Sequence, residues 1–292
     1  MGTPTYSSPE WERQYSLSPI NDAQDESETT RLLLQHRYLS ESMGGILPAS
    51  LDLSQVKRVL DAGCGVGGWT YELAWKHPSM HVTGFDQSSF FVEKAEELVS
   101  PLGNATVIRQ DIRHLSNEVL PLASFDLVHA RFLVSMLRPQ EYPTILSSLA
   151  HRCRAGGLFV WDELEFPNTN SLACQELCAL IQDGLKATGR AFSPGNALGI
   201  TPMMKRLLQG ADCKVTLDRV YSIEVSSGTK GHDSFAWQMW RLSKQIRPFL
   251  LEAGVTTEAS FEELYAEAQH EIHNDSFCGL VYMRTLVGRR IK

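Results

Sequence analysis

The stretch Val56-Lys57-Arg58-Val59-Leu60-Asp61-Ala62-Gly63-Cys64-Gly65-Val66-Gly67-Gly68 decides the fold. Val59, Leu60 and Ala62 read as a buried strand, and the glycines after it read as a turn that opens a helix. Glycines at 63, 65 and 67 or 68 permit positive φ and let backbone approach a ligand closely. A strand, a glycine turn and a helix in that order make a nucleotide-cofactor site, because the first turn of the helix presents unpaired N–H groups.

Gly63, Gly65 and Gly68 satisfy G-x-G-x-x-G, a spacing shared with dinucleotide sites, so the flanking charges must discriminate. Asp61 lies two positions before the first glycine, where it would repel a pyrophosphate and attract an ammonium or sulfonium. S-adenosylmethionine carries both cations near its amino-acid end. Its ribose needs a second acid, and Asp86 closes the next strand in Gly84-Phe85-Asp86. Asp86 alone does not discriminate, since an NAD ribose wants the same carboxylate.

Leu60-Asp61-Ala62-Gly63-Cys64-Gly65-Val66-Gly67 resembles the first motif of the class I S-adenosylmethionine-dependent methyltransferases. Gly84-Phe85-Asp86-Gln87-Ser88 resembles that family's ribose-binding segment, and Arg109-Gln110-Asp111-Ile112 resembles the acid and apolar residue that hold adenine. Ser124 to Arg131 is similar to the fourth strand, and Arg154-Ala155-Gly156-Gly157-Leu158-Phe159-Val160 to the turn and fifth strand. The resemblance spans residues 56 to 163. It implies S-adenosyl-L-methionine as cofactor, held by Asp61, Gly63, Cys64, Gly65, Gly67, Asp86, Gln87, Asp111, Ile112, Ala130 and Arg131. In this family an added N-terminal segment often covers the cofactor, which brings Gln35, His36 and Tyr38 into reach; a surface helix packed on the core is the rival reading of that segment.

The 292 residues contain 43% hydrophobic residues, enough for a substantial core. The net charge of −7 argues against a phosphate-tracking surface, so no nucleic-acid partner is expected. No apolar run is long enough to span a bilayer, and the first residues, with Pro4, Pro9 and Glu10, lack the pattern of a signal; no membrane partner and a cytoplasmic address are the expectation. The six cysteines, at 64, 153, 174, 178, 213 and 278, show no C-x-x-C or metal spacing. His270 and His273 have no matching acids or cysteines, so no metal is expected.

The order of elements predicts an α/β chain with a Rossmann-like, doubly wound sheet, mostly parallel, with an antiparallel last strand. Strands are read at 57–61, 80–85, 105–109, 125–129 and 157–162, and helices at 68–76, 88–99, 114–119 and 139–151. Residues 1 to about 24 read as loose chain, and Asp25 with Glu28 as a capping box opening an N-terminal helix. Beyond Pro167 come helices at 171–188 and 201–209, a strand from Cys213 to Val225, and a last strand from Phe277 to Val287 pairing antiparallel with it. Helical patterns from Asp233 to Glu252 and from Thr257 to His273 lie between those strands. We divide the chain into a tail and cover helix (1–50), a cofactor-binding core (51–166) and a C-terminal part (167–292) with a helical lid at about 230–275. Cover helix and lid are also the candidate surfaces for a homo-oligomer.

Methyl transfer is an in-line displacement, so the protein must align the acceptor and exclude water, and a general base is optional. His129, at the end of the fourth strand, is the candidate base, with a purely space-filling role as its rival. Glu163, in Asp162-Glu163-Leu164-Glu165, is the second candidate, the rival being a solvated acidic loop. Arg131 suits a carboxylate of the cofactor or of the acceptor. Phe132, Trp161, Trp237 and Trp240 are the candidate acceptor contacts, although the aromatics at 237 and 240 equally read as the lid's own core. An Asn/Asp-Pro-Pro-aromatic motif and a Pro-Cys nucleophile, marks of nucleic-acid methylation, are both absent. The expected reaction is transfer of a methyl group to oxygen, nitrogen or carbon of a small organic acceptor, in specialised or quinone-type metabolism. Rival readings are a protein methyltransferase and a non-methylating S-adenosylmethionine-binding regulator or cyclisation catalyst.

Overall fold

The computed structural model describes residues 26–291. Helix α1 (Glu26–Ser42) precedes the alternating core: β1 (Arg58–Ala62), α2 (Gly68–Lys76), β2 (His81–Asp86), α3 (Ser89–Val99), β3 (Ala105–Arg109), β4 (Phe125–Arg131), α4 (Tyr142–Ala150) and β5 (Cys153–Leu164). The remainder adds β6 (Asn168–Thr169), α5 (Leu172–Ala187), α6 (Ile200–Gly210), β7 (Cys213–Glu224), α7 (His232–Glu252), α8 (Glu258–Ile272) and β8 (Gly279–Arg290).

One sheet of eight strands runs β3-β2-β1-β4-β5-β8, with β6 and β7 both paired to β8. The first five strands are parallel, whereas β8 is antiparallel to β5 and to β7. The order reverses beside β1, where Asp61 lies level with Gly84 on β2 and His129 on β4. Ligands of such sheets bind at this switch point, beyond the carboxyl ends of the strands. The expected doubly wound sheet and its antiparallel last strand are present.

Burial explains the strand composition. Val59, Leu60 and Ala62 of β1, Leu127 and Val128 of β4 and Phe159 and Val160 of β5 are almost wholly excluded from water. Central parallel strands covered by helices on both faces need such apolar runs. Each large side chain contributes about 1.5–3 kcal/mol of burial. Helix starts follow local chemistry: Ser88, Ser171 and Thr257 accept from backbone N–H groups of the first turns of α3, α5 and α8.

Four expectations need correction. No helix forms at 114–119, because Asp111 accepts from the Arg113 N–H, Gln110 from the Ser116 N–H and Ser116 from the Glu118 N–H, holding the segment in turns. The helix at 139–151 begins as a separate 3₁₀ turn, Pro139–Glu141, ahead of α4. Strand β5 starts earlier than residue 157, at Cys153, and β8 runs from Gly279 past Val287 to Arg290. The loose N-terminal tail and Asp25 lie outside the described residues. Among the described residues, no helix is long and apolar enough to cross a membrane.

Candidate functional site

A cavity of about 320 Å³ extends from the glycine turn and the ends of β1, β2 and β4 to a chamber walled by α1, α5 and α7. Its size suits a small-molecule site. Gly63 (φ +67°) and Gly65 (φ +55°) adopt the left-handed backbone that the sequence pattern anticipates, and both face the cavity. Gly67 (φ +81°) lies outside it. A Cβ there would come within 2.9 Å of Ala95 Cβ, so this glycine serves the packing of α2 on α3 and not cofactor contact.

Asp86 lies at the mouth of the turn. Its Oδ2 accepts from the Gly65 N–H (3.1 Å) and its Oδ1 from the Ser88 N–H (2.9 Å). Burial pushes its carboxyl up to about 6, against the lowering effect of those N–H groups. An incoming pair of hydroxyls would supply the donors that its outward lone pairs lack. Beside it, a small hollow is bordered by Phe85, Gln87, Gln110, Ile112, Arg113 and Met136. Apolar faces at Ile112 and Met136 with amide groups at the edge fit a purine. Asp111 does not line either space; its Oδ1 is taken by the Arg113 backbone, with the Arg113 guanidinium 3.6 Å away. Turn, buried acid and hollow together fit the adenosine of S-adenosylmethionine.

A buried polar chain runs behind the glycine turn. His129 Nδ1 is 2.8 Å from Asp61 Oδ1, and its Nε2 is 3.2 Å from Asp162 Oδ2. Thr70 donates to Asp61 Oδ2 (2.7 Å), and Thr285 donates to Asp162 Oδ1. The His129 ring stacks on Trp69 at 3.8 Å with an interplanar angle of 4°. Burial alone would lower the imidazole pKa, but hydrogen bonds to Asp162 and Asp61 and their charges outweigh it, so the pKa is raised. Both ring nitrogens are engaged. The raised pKa favours the protonated ring, and with both nitrogens bonded to carboxylates His129 has no free nitrogen with which to act as a general base. Asp61 borders the cavity, but its oxygens serve this chain first.

Arg131, at the end of β4, is half-buried and borders the cavity. Its Nη2 meets His36 Nδ1 of α1 (3.1 Å), and its guanidinium lies 5.3 Å from the Phe132 ring centroid. His36 Nε2 meets Glu72 of α2 (2.8 Å). Helix α1 is thereby fixed over the turn, and Gly68 leaves room for it: a Cβ would sit 3.1 Å from the His36 ring. Tyr38 also borders the cavity and donates weakly to the Glu224 carbonyl (3.4 Å).

The structure rejects several expected contacts. Glu163 is buried away from the cavity, where its Oε1 accepts from Trp161 Nε1 (2.9 Å) and the Val134 N–H (3.3 Å). Burial pushes it up to about 8, so it is a neutral structural acid at neutral pH. Trp161 is fully buried against Tyr142, since residues 161 and 162 point to opposite faces of β5 and residue 162 takes the face toward His129. Ala130 is likewise a core residue. On α7 the helical period turns Phe235, Gln238, Met239, Leu242 and Ile246 into the cavity; Trp237 and Trp240 lie off that stripe, and Trp240 meets Lys244 and Arg241 instead. Helix α8 contributes no lining residue, so only the first helix of the insertion covers the site. Cys64, Gln87, Ile112 and Phe132 do border the cavity or the hollow.

Sequence reasoning missed the far wall. Arg31 of α1 forms a buried pair with Glu28 (2.6 Å) and donates to Gln238 of α7 (2.9 Å), and Gln245 donates to Glu28 (2.5 Å). These links join cover helix to lid across about two hundred residues of chain, a separation no local pattern reveals.

Comparison with known proteins agrees with this geometry. Residues 59–157 match a methyltransferase domain family. The chain is 31% identical over 160 residues to the methyltransferase str3 of Strobilurus tenacellus, covering 55% of this chain and 52% of that protein. It is 26% identical over 216 residues to a trans-aconitate 2-methyltransferase of Deinococcus radiodurans, covering 71% and 76%. The chain spans about half the length of the first of these relatives. A candidate methyltransferase of Bacillus halodurans C-125 shares the fold at a TM-score of 0.52 and 13% identity, covering 89% of this chain and 99% of that one. Residues 59–157 carry the glycine turn, both acids of the first two strands and the His129–Arg131 segment, and this part of the chain is a methyltransferase domain of the class I S-adenosylmethionine-dependent kind, with S-adenosylmethionine as cofactor.

Proposed function

We propose that this protein transfers a methyl group from S-adenosylmethionine to a small organic acceptor, in specialised metabolism. The observation that carries this reading is the continuity of one cavity from Asp86 and the glycine turn to an apolar chamber under α7. A bound cofactor supplies an electrophilic methyl carbon. Around it, Asp86 orients the ribose, Gly63 and Gly65 allow close approach, and Phe132, Phe166, Phe235 and Met239 exclude water from the transfer path. A cavity of about 320 Å³ with its apolar chamber beyond the cofactor end favours a small acceptor over a protein side chain.

The test is incubation of the protein with methyl-deuterated S-adenosylmethionine and a metabolite extract, followed by mass spectrometry. A labelled low-mass product is expected. Label only in protein, or none despite bound cofactor, would refute the reading.

A further inference from the structure

The cavity holds almost no group able to take a proton from an acceptor. His129 is held between Asp61 and Asp162, and Asp61 is occupied by His129 and Thr70. His36 spends Nε2 on Glu72 and Nδ1 on Arg131. Glu28 is paired with Arg31, and Glu165 accepts from the Gly199 and Thr201 N–H groups and the Thr201 hydroxyl. The Cys178 thiol is raised by its hydrogen bond to Cys174 and by burial, and the Cys64 thiol is raised by burial and by Asp61 and Asp86. Asp86 faces the ribose side.

One cation stands out against this background. Arg131 is half-buried, faces the cavity at the end of β4, and its described hydrogen-bond partner is the ring of His36. No carboxylate among the described residues pairs with it, although Asp162, Asp61 and Glu72 lie near enough to favour its charge. The chamber beyond is apolar: Phe166, Ile181, Leu198, Phe235, Met239 and Ile246. A guanidinium facing an apolar space, with no base beside it, is matched to a ligand that already carries its own anion.

Resting on the methyl-transfer reading, we infer that the acceptor is an amphiphilic carboxylic acid, bound as the carboxylate at Arg131 with its apolar body under α7, and methylated on oxygen. A carboxylate oxygen forms the new bond to the methyl carbon while the sulfur–carbon bond breaks and its electron pair stays on sulfur. The products are a methyl ester and S-adenosylhomocysteine. No proton moves, so no base is required. One negative and one positive charge are consumed together, a change that a water-poor, low-dielectric chamber favours. Arg131 fixes the carboxylate beside the methyl carbon, and His36 fixes Arg131.

The carboxylate recognised by Arg131 could also belong to the cofactor's own amino-acid end, and the experiment separates the two. The protein is saturated with S-adenosylhomocysteine and titrated with decanoate, 1-decanol or decylamine in a calorimeter. We expect decanoate to bind about tenfold more tightly than the alcohol, the advantage of a charge-assisted contact. In Arg131→Gln that preference should vanish while affinity for S-adenosylhomocysteine stays unchanged. Alcohol or amine binding as tightly as the acid to the unmodified protein overturns the inference, whether or not the variant folds. Weakened S-adenosylhomocysteine binding with the acid preference retained in Arg131→Gln assigns the anion to the cofactor and also overturns it. Failure of the unmodified protein to bind S-adenosylhomocysteine, read before any probe is added, overturns the methyl-transfer reading as well.

Discussion

Replacing His129 by phenylalanine tests the buried chain behind the glycine turn. Phenylalanine keeps an aromatic ring against Trp69 and removes the charge and both hydrogen bonds, at 2.8 Å to Asp61 and 3.2 Å to Asp162. Two carboxylates would then be buried without their cation. Breaking one partner out of a buried pair costs about 3–5 kcal/mol, a large share of the 5–15 kcal/mol that holds an ordinary domain. The sign of the pH dependence follows from the raised imidazole pKa. Its stabilisation is fully present below the unfolded value of about 6.5 and fades as pH rises through the higher folded value. Guanidinium denaturation followed by tryptophan fluorescence should therefore show a loss of about 3–5 kcal/mol at pH 6 and a smaller one at pH 9. A loss below about 1 kcal/mol at pH 6, or the same loss at both pH values, would refute the assignment of His129 as a clamped cation.

Asp86→Ala should weaken S-adenosylhomocysteine binding by about 1.5–3 kcal/mol, read by titration calorimetry, and leave the circular dichroism spectrum unchanged. In the unmodified protein the same affinity should fall as pH drops through about 6, because only the ionised Asp86 accepts two ribose hydroxyls; unchanged affinity in either experiment would assign the ribose to another group. Glu163→Gln should leave the melting temperature at pH 4 nearly unchanged and raise it at pH 9. The Glu163 carboxyl, held up to about 8, weakens the native state as pH rises from its unfolded value of about 4.3 toward 8, and glutamine carries no such cost. A lower melting temperature at pH 9 would contradict this.

The cofactor half of the site is legible in sequence because its determinants are local. Positive φ at Gly63 and Gly65 and an acid at the end of β2 are each set within a few residues, and the parallel sheet repeats the arrangement in register. The acceptor half depends on tertiary choices. Trp161 and Asp162 are neighbours in sequence, and only the pairing of β5 with β4 and β8 decides that the acid faces His129 while the indole joins Tyr142 in the core. The phase of α7 likewise selects Phe235 and Met239 over Trp237 and Trp240, and that phase is set by contacts with α1 through Arg31 and Gln238. His129 looked like a base because one residue shows neither the carboxylate on β1 nor the one on β5.

The central claim is that one cavity holds cofactor at one end and acceptor at the other. Leu242→Trp on α7 places an indole in the acceptor chamber, away from the glycine turn. Affinity for S-adenosylhomocysteine and transfer of deuterated methyl to the extract product are then measured on the same sample. The account predicts unchanged affinity with transfer reduced by about tenfold or more. Undiminished transfer, or loss of cofactor affinity with transfer per bound cofactor preserved, would contradict it.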